Sequence, residues 1–479
     1  MNAPAALPAT LPKRSKIALG LGSAAFGIKD QGFSALLMLY YNQVIGLPAT
    51  WVGFAILLAT LFDAIADPLI GQLSDRTRSR FGRRHLYMFA SAIPIAIAYA
   101  LVWMPPEGSR EMQFVYLVLT SILARVAISF YEVPSAALTA ELTSDYDERT
   151  SLTTYRFLFQ ALGLIGMGVV VFKLFLRPTP EQPIGQLNAG GYMDYGLLAA
   201  VIMLLCVLTA ARGTYRYVPM LTQKTDTHLG GLAENLRTLA TDRTYMSVIA
   251  CIFCWAVAVG VSTTLGSYVL TYLWKLDASQ LGSYSGAAAI GLVLGIVVSA
   301  LSGRFSKRNV AIASFAVALV ASVLMTALRL AGVIDWEGAK ALPYLMVQNA
   351  VVYMGIVAGN IMGASMLADV ADSLDLKTGR RMEGLMFAAL IMIMKAVSGM
   401  GVFASGLVLS AISFPEKADP ATVDAAVVYE LGMIFLVSFC VLVGLAILSM
   451  LFYPITRQIH ERTLLALRAR AANAGSAAS

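Results

Sequence analysis

Long apolar runs separated by short polar segments are the dominant pattern along this chain of 479 residues. An α-helix needs about 20 apolar residues to cross a bilayer, and the chain supplies runs of that length repeatedly. The runs predict an all-α membrane protein with twelve transmembrane helices. These helices are expected near residues 17–46, 50–73, 85–104, 112–141, 152–176, 192–211, 245–274, 279–303, 309–330, 342–370, 384–413 and 427–455.

The longest polar stretch between apolar runs lies at about 212–244 and separates two halves of six predicted helices each. Five regions follow from this division. They are a cytoplasmic tail at 1–16, an N-terminal six-helix bundle at 17–211, a central cytoplasmic loop at 212–244, a C-terminal six-helix bundle at 245–456 and a cytoplasmic C-terminal tail at 457–479.

The Lys and Arg residues are distributed unevenly between the two predicted sides of the membrane. Of the 35, 24 fall on one side and 7 on the other, while Lys29, Arg125, Arg156 and Lys395 fall inside predicted helices. Because Lys and Arg accumulate in cytoplasmic loops, both termini are predicted to face the cytoplasm. We expect a multi-pass protein of a bacterial inner membrane.

Two of the basic loops resemble each other. The segment 71–76 reads Gly-Gln-Leu-Ser-Asp-Arg after the second predicted helix, and the segment 303–308 reads Gly-Arg-Phe-Ser-Lys-Arg after the eighth. These positions are equivalent if the second half repeats the first. The sequence therefore predicts a parallel internal repeat, in which the two halves rock around a site at the membrane midplane.

Composition excludes several other classes of protein. Apolar residues make up 58% of the chain and charged residues 13%, whereas soluble domains carry about 25% charged residues. The net charge of +7 follows from the loop residues, so no nucleic-acid partner is expected. Cys251 and Cys254 are interpreted as small core residues, because no second pair accompanies them. No HExxH, GxSxG or GxxxxGK[ST] motif indicates an enzyme or an ATP-driven pump.

Charged residues inside the predicted helices are the candidate functional residues, since a charge facing lipid costs at least ~2.5–3.5 kcal/mol. Asp63 and Asp67 are four residues apart and so share one helix face. Two neighbouring carboxylates there predict a site for a coupling cation, H⁺ or Na⁺. The alternative for Asp67 is a capping role near the loop. Lys395 lies too deep to reach water easily and is predicted to pair with these acids when the cation is absent.

Three further charged residues are candidates with open alternatives. Glu132 could complete the cation site or bind substrate, or else form a salt bridge with Arg125 or Arg156. Lys29 and Asp30 are adjacent and therefore point in different directions, so we expect each to have its own partner. Asp30 is a candidate acceptor for substrate hydroxyls, and Lys29 is a candidate for substrate binding or for an internal ion pair.

The loop charges predict a gate rather than a binding site. We expect ion pairs across the cytoplasmic end that hold the outward-open state and break on switching. The residues on the two sides are Asp75, Arg76, Arg78, Arg80, Arg83 and Arg84, and Asp369, Asp372, Asp375, Arg380, Arg381 and Glu383. Five aromatic residues could stack on a sugar or serve as packing, namely Tyr40, Tyr41, Tyr131, Trp255 and Tyr353.

Two motifs give the chain a specific resemblance. The segments 62–84 and 368–384 resemble the hallmark sequences of the glycoside–pentoside–hexuronide:cation symporter family, a melibiose permease-like branch of the major facilitator superfamily. By that resemblance, Asp63 and Asp67 match the cation-binding pair, and Ser129 the position of a threonine that assists sodium. The positions of Asp30, Glu132 and Arg156 match sugar-site residues, and Lys395 matches the lysine of the eleventh helix.

The resemblance implies a cation-coupled carbohydrate importer, with three departures from the family pattern. Ala66 replaces an asparagine that supplies a sodium ligand, which favours proton coupling. Ala136 replaces a tryptophan beside the sugar, and Glu132 replaces an aspartate. The alternative function is a lysolipid or other amphiphile symporter of the same fold. In either case we expect a monomer in the lipid bilayer that binds a small molecule and needs no cofactor besides the coupling ion.

Overall fold

A computed structural model describes residues 10–143, 145–180, 182–221, 232–301, 305–378 and 383–478. Within these ranges the chain is almost entirely helical, and twelve long helices form one bundle. They are α1 Lys13–Gln31, α2 Ala49–Arg76, α3 Arg83–Val102, α4 Arg110–Glu141, α5 Tyr146–Val170, α6 Ala189–Tyr215, α7 Arg243–Tyr268, α8 Ala278–Leu301, α9 Lys307–Leu330, α10 Leu342–Thr378, α11 Glu383–Ala411 and α12 Ala425–Leu451.

Helix α1 differs from the other eleven, which are each long and apolar enough to cross a bilayer in the described part of the chain. Its α-helical part carries five charged residues, Lys13, Arg14, Lys16, Lys29 and Asp30. The chain then continues through the π-helical turns Gly32–Leu36 and Tyr40–Ile45. Because these turns extend α1 within the bundle, the predicted twelve-helix fold is confirmed.

Several helices begin where a polar side chain accepts a hydrogen bond from a free backbone N–H of the first turn. Ser109 caps α4, Asp145 caps α5, Asp242 caps α7 and Asp424 caps α12. The first turn of a helix leaves such donors without an intrahelical partner, so these residues fix where the helix starts. Several of these starts lie a few residues before those predicted from hydropathy alone.

The packing order shows the predicted internal repeat. In the first half, α1 packs on α5 and α6, α2 packs on α4, and α3 packs on α6. In the second half, α7 packs on α11 and α12, α8 packs on α10, and α9 packs on α12. Each pair therefore has a counterpart six helices later. The two halves contact each other where α2 packs on α11 and where α5 packs on α8. The internal repeat relates these two contacts, because α8 is the counterpart of α2 and α11 is the counterpart of α5.

The segments predicted only as loop and tail contain further helices. The central loop includes a short helix, Leu232–Thr241, and the C-terminal tail forms α13, Arg457–Ala478. Helix α13 packs against α10, where Arg470 lies 3.5 Å from the Asp375 carboxylate. Hydropathy did not predict these helices because their charged residues lower the apolar signal.

The outer surface of the bundle is apolar. Large side chains on several helices are exposed, including Ile65, Leu69, Val293, Val320 and Val441. An apolar belt of this kind is expected where the surrounding solvent is lipid. Eleven helices of the described residues are long and apolar enough to cross a membrane, which is the architecture of a multi-pass membrane protein.

Small residues allow α1 and α5 to approach closely. A Cβ added to Gly27 would lie 2.0 Å from the carbonyl oxygen of Gln160, and one added to Gly163 would lie 2.4 Å from that of Ala24. Glycine at such contacts permits the backbone-to-backbone packing that is common between membrane helices. Gly166, one turn further along α5, is exposed and has nothing within 4 Å of its Cβ position.

We predict that Gly163→Ala destabilises the bundle, because the new methyl group overlaps the Ala24 carbonyl and the helices must separate. Overpacking of this kind costs about 1–3 kcal/mol. Thermal unfolding of the detergent-purified protein should therefore occur at a lower temperature. Gly166→Ala is the matched control on the same helix and should unfold at the same temperature as the wild-type protein. Equal unfolding temperatures for all three proteins would contradict the packing account.

Candidate functional site

Four charged side chains from three helices meet near the middle of the bundle. Lys395 of α11 lies with its Nζ 2.5 Å from Oδ2 of Asp67, 3.5 Å from Oε2 of Glu132 and 3.9 Å from Oδ2 of Asp63. Asp63 and Asp67 share one face of α2, and Glu132 lies on α4. The lysine therefore joins the second half of the protein to three acids of the first half.

Asp63 lies in the most enclosed position of this cluster. Its residue is only 1% exposed, and Ser129 donates a hydrogen bond of 2.5 Å to its Oδ1. Arg125 Nη1 lies 3.7 Å from its Oδ2. Ser129 and Glu132 are three residues apart on α4, so one helix face supplies both. A buried carboxylate is stable only with such partners, because an unpaired charge in the interior is costly.

The three acids surround the ammonium group of Lys395 and do not form a set of metal ligands. Among the described residues, no group of three or more His, Cys, Asp or Glu side chains is arranged to hold a metal ion. The Oδ1 atom of Asp67 is buried, and within the described structure it has no hydrogen-bond partner. The arrangement is a cation–acid network in which one further positive group could be accepted.

Lys29 and Asp30 form an ion pair with each other, at 2.7 Å. The expectation that adjacent residues need separate partners was therefore wrong. A lysine has a flexible four-carbon stem, so its ammonium group can reach back to the neighbouring carboxylate even though the two Cβ atoms diverge. Lys29 also lies over the ring of Phe26, with 3.9 Å from Nζ to the ring centroid.

A cavity of about 530 Å³ lies between the two halves beside this network. Its walls come from both halves, and its charged lining residues are Lys29, Asp30, Asp63, Arg125 and Lys395. Polar and aromatic residues complete the lining, among them Gln160, Trp255, Tyr284, Asn349, Tyr353 and Asn360. A volume in this range suits a small molecule.

Four predicted binding residues lie outside the cavity lining, and one of them, Ser129, is held at Asp63. Asp67 and Glu132 are held at Lys395, and Arg156 donates hydrogen bonds to Ser135 and Thr139 at 3.2 and 2.9 Å. The alternative of a Glu132 salt bridge to arginine is not what the structure shows, since Glu132 lies nearest to Lys395. In this conformation Arg156 serves the packing of α4 against α5.

Four of the predicted gate charges, Asp75, Arg83, Arg84 and Asp369, pair inside their own halves in this structure. Asp75 pairs with Arg84, and Glu141 accepts contacts from Arg83 at 2.8 Å and from Arg84 at 2.9 Å. Arg76 is exposed and Asp372 is half-buried. The side chains of Arg380, Arg381 and Glu383 lie outside the described residues. The pairing across the two halves therefore stays a prediction.

Asp369 belongs to a second cluster at the same end of the bundle. It pairs with Lys307 at 2.7 Å and lies 3.5 Å from Nδ1 of His460. Burial, together with the nearby Asp369 carboxylate, raises the pKa of the Tyr453 phenol above its ordinary value. This cluster joins α9, α10 and α13 within the second half.

The opposite end of the bundle, which is the predicted outer end, is closed by hydrogen bonds between the halves. Gln43 donates to the Pro415 carbonyl at 3.1 Å and accepts from the Tyr272 hydroxyl and the Ala418 amide at 2.9 Å each. Tyr268 donates to Asn42 at 2.9 Å. We call Asn42, Gln43, Tyr268 and Tyr272 the outer seal.

At the predicted cytoplasmic end, the contacts of Lys16, Lys307, Lys377 and Arg470 each lie within one half or the loop and tail segments attached to it. Apart from the contacts of Lys395, the hydrogen bonds described above between the two halves are those of the predicted outer end.

Sequence reasoning missed two parts of this site. Arg125 was considered only as a partner for Glu132, although it lies beside Asp63 and lines the cavity. Its position inside a span was the available signal. The outer seal gave no signal, because Asn and Gln near a helix end are ordinary in sequence. Of the five aromatics, Tyr40 packs on Tyr192 at 4.5 Å, whereas Trp255 and Tyr353 line the cavity.

Comparisons with known proteins agree with this architecture. A family model described as MFS/sugar transport protein matches residues 18–457. An uncharacterized symporter of Synechocystis sp. is 27% identical over 96% of this chain and 97% of its own length. An isoprimeverose transporter of Lactiplantibacillus pentosus is 26% identical over 95% of this chain and 92% of its own.

A solved structure shares the fold. The inward-open xylose transporter of Escherichia coli has a TM-score of 0.63, with 16% identity, 94% of this chain covered and 98% of its own. The family motifs at 62–84 and 368–384 agree with the match along the chain. The chain therefore belongs to the MFS/sugar transport protein family, and within it to the glycoside–pentoside–hexuronide:cation symporters.

Proposed function

We propose that the protein imports a glycoside or related carbohydrate together with a cation, H⁺ or Na⁺, by alternating access. The observation that carries this proposal is the contact of Lys395 with Asp67 at 2.5 Å, which links the two halves beside the cavity. An intramembrane acid cluster next to a substrate-sized cavity is the arrangement expected of a coupled transporter. The names of the similar transporters support a carbohydrate substrate.

Electrostatics supplies a reason for coupling at this cluster. Lys395, together with Arg125 beside Asp63, compensates much of the charge of the three acids in the described conformation, so less unpaired charge remains in the interior of the empty carrier. A cation that binds at Asp63 or Asp67 competes with Lys395 for the same carboxylates. Because a buried charge without a partner is costly, the cation and the lysine change the relative energies of the two conformations.

Alternating access requires that one end closes when the other opens. The outer seal holds the predicted outer end closed in this structure. We propose that the outward-open state breaks the seal and forms the predicted pairs between the loop charges of 75–84 and 369–383. The topology proposed with this mechanism places both termini in the cytoplasm of a bacterial cell, with the protein as a monomer in the inner membrane.

A lysolipid substrate is less well supported. Most of the cavity lining is apolar, but five charged residues and several amide and hydroxyl groups provide partners for a polyhydroxylated molecule. The relatives reported above include a carbohydrate transporter, and the matched family is one of sugar transport. Neither the fold nor its family indicates an enzymatic reaction, and the proposal needs no cofactor beyond the coupling ion.

We predict that Asp67→Asn abolishes accumulation of sugar against its gradient. The variant loses the carboxylate that Lys395 holds and that the cation would occupy, so an ion gradient no longer drives uptake. Exchange of labelled for unlabelled sugar in vesicles should persist, because it does not need net cation movement. In a vesicle assay with an imposed proton or sodium gradient, we expect the variant to accumulate at least tenfold less sugar than the wild-type protein.

The matched control for this experiment is Asp194→Asn. Asp194 is an exposed acid on α6, far along the chain from the cluster, and has no assigned role. Its variant should accumulate sugar as the wild-type protein does. If Asp67→Asn still accumulates sugar to the wild-type level, the assignment of coupling to this cluster is wrong.

A second prediction concerns the outer seal. Gln43→Ala removes three hydrogen bonds between the halves and should increase the population that is open to the outside. A cysteine placed at Thr263 in the cavity, in a background without native cysteines, should then react faster with a membrane-impermeant maleimide added outside. We expect an increase in rate of up to about 100-fold, since three buried hydrogen bonds of about 1 kcal/mol each are lost and each 1.4 kcal/mol is about a factor of ten.

Gln113→Ala is the matched control. Gln113 is at the same end of the bundle, but its side chain donates only to Pro106 of its own half. Its loss should leave the labelling rate unchanged. A labelling rate that is equal in Gln43→Ala and wild-type protein would show that the seal does not hold the outer end closed.

A further inference from the structure

Two acids of α10 at the predicted cytoplasmic end are held by groups of their own half. Asp369 is 6% exposed, and its two carboxylate oxygens accept hydrogen bonds from Nζ of Lys307 at 2.7 and 2.8 Å. On the same carboxylate, Nδ1 of His460 from α13 lies at 3.5 Å. Asp375 accepts a hydrogen bond of 3.1 Å from Arg470 of α13 on its backbone carbonyl, and the same arginine lies 3.5 Å from its carboxylate. Helix α13 therefore contacts two of the acids that are predicted to form the gate.

The connection between α2 and α3 carries arginines that have no acidic partner in this conformation. Arg76, Arg78 and Arg80 are exposed, and within the described residues none of them forms an ion pair. Arg80 contacts only the neighbouring ring of Phe81, at 4.8 Å from its guanidinium carbon to the ring centre. The first half therefore presents free cations at the same predicted end at which α13 and Lys307 occupy the acids of the second half.

The free arginines and α13 would use the same acids. Asp369 is too enclosed to accept an arginine from the first half while the ring of His460 lies beside it. Asp375 is already in contact with Arg470 through both its carbonyl and its carboxylate. Ion pairs at a water-exposed surface are individually weak, so α13 can leave α10 without loss of the bundle. Any group that holds the acids in only one conformation shifts the population toward that conformation.

We propose that α13 is an autoinhibitory latch. Docked on α10, it withholds Asp369 and Asp375 from the three arginines of 76–80 and favours the conformation that is closed at the predicted outer end. Released from α10, it leaves these acids free to pair across the halves and favours the outward-open conformation. None of its described residues lines the cavity, so the latch acts on the rate of the cycle and not on the choice of substrate. This inference rests on the alternating access of the proposed function and adds a means of regulation to it.

The test measures outward opening of the full chain in right-side-out vesicles and needs no substrate. Thr263→Cys, in a background without native cysteines, reports opening through its reaction with a membrane-impermeant maleimide added outside. His460→Ala and Arg470→Gln should each raise the labelling rate about two- to fivefold, which corresponds to the loss of one exposed ion pair. The double variant should raise it about four- to 25-fold, if the two contacts contribute independently.

Two control variants lie on the same helix. Arg462 is exposed and forms no ion pair within the described residues, so Arg462→Gln should label at the wild-type rate. Arg470→Lys keeps the positive charge beside Asp375 and should label more slowly than Arg470→Gln. These controls separate the loss of the two contacts from a general change in the charge of α13.

A further background separates competition for the acids from a merely structural role of α13. In the triple variant Arg76→Gln, Arg78→Gln and Arg80→Gln, the acids released by α13 have lost these partners in the first half. Adding His460→Ala and Arg470→Gln to this background should therefore change the labelling rate by less than twofold. If α13 only supported the bundle, its loss would accelerate labelling to the same extent in both backgrounds.

The inference is overturned if the double variant labels at the wild-type rate, or if Arg462→Gln accelerates labelling as much as Arg470→Gln. An acceleration that persists in full without the loop arginines also overturns it. Sugar accumulation by the wild-type protein in the same vesicles tests the proposed function separately. If sugar accumulates and labelling does not respond to the variants, only the latch fails. If labelling responds as expected and no sugar accumulates, the latch stands and the proposed carbohydrate import fails.

Discussion

The contact between Lys395 and the acids of α2 and α4 is the interaction on which the rest of this structure depends. Each charge alone would be expensive in a membrane interior, but together they are stable at the junction of the two halves. The helices that carry them, α2 and α11, form the principal contact between the halves. Under the proposed mechanism, a cation that binds to the same carboxylates changes the energy that fixes the relative position of the halves.

The two ends of the bundle are held by different chemistry. The predicted outer end is closed mostly by neutral amides and phenols that bond directly across the halves, with one ion pair, Arg110 to Glu416 at 2.7 Å, beside them. The predicted cytoplasmic end is rich in charges, which in this conformation pair within each half. Neutral hydrogen bonds need close, dry contact, whereas charges attract over longer distances and can exchange partners in water. This difference fits a carrier whose ends open in turn.

The internal repeat explains how such a movement can leave each half intact. Helix pairs within a half pack through close backbone contacts, as at Gly27 and Gly163, so that each half behaves as a rigid unit. The cavity lies between the halves, and its charged lining includes residues from both of them.

The sequence by itself determined the twelve helices and the repeat, and it singled out Asp63, Asp67 and Lys395, which the structure brings together. These features could be predicted because the hydropathy of a segment and the cost of a charge in lipid depend on the local sequence and are visible in the residue pattern. Helix bounds were less well predicted, since caps such as Ser109 and Asp242 extend helices beyond their apolar runs.

Only the tertiary structure decided which groups meet. Lys29 reaches its neighbour Asp30, Arg125 lies beside Asp63 instead of Glu132, and Gln43 bonds to Pro415 across 372 positions of the chain. Long side chains can choose among several partners within reach, and contacts between distant segments depend on how whole helices pack. Neither property leaves a periodic signal in the sequence, so the partners within the site and the closed outer end could be read only from the folded chain.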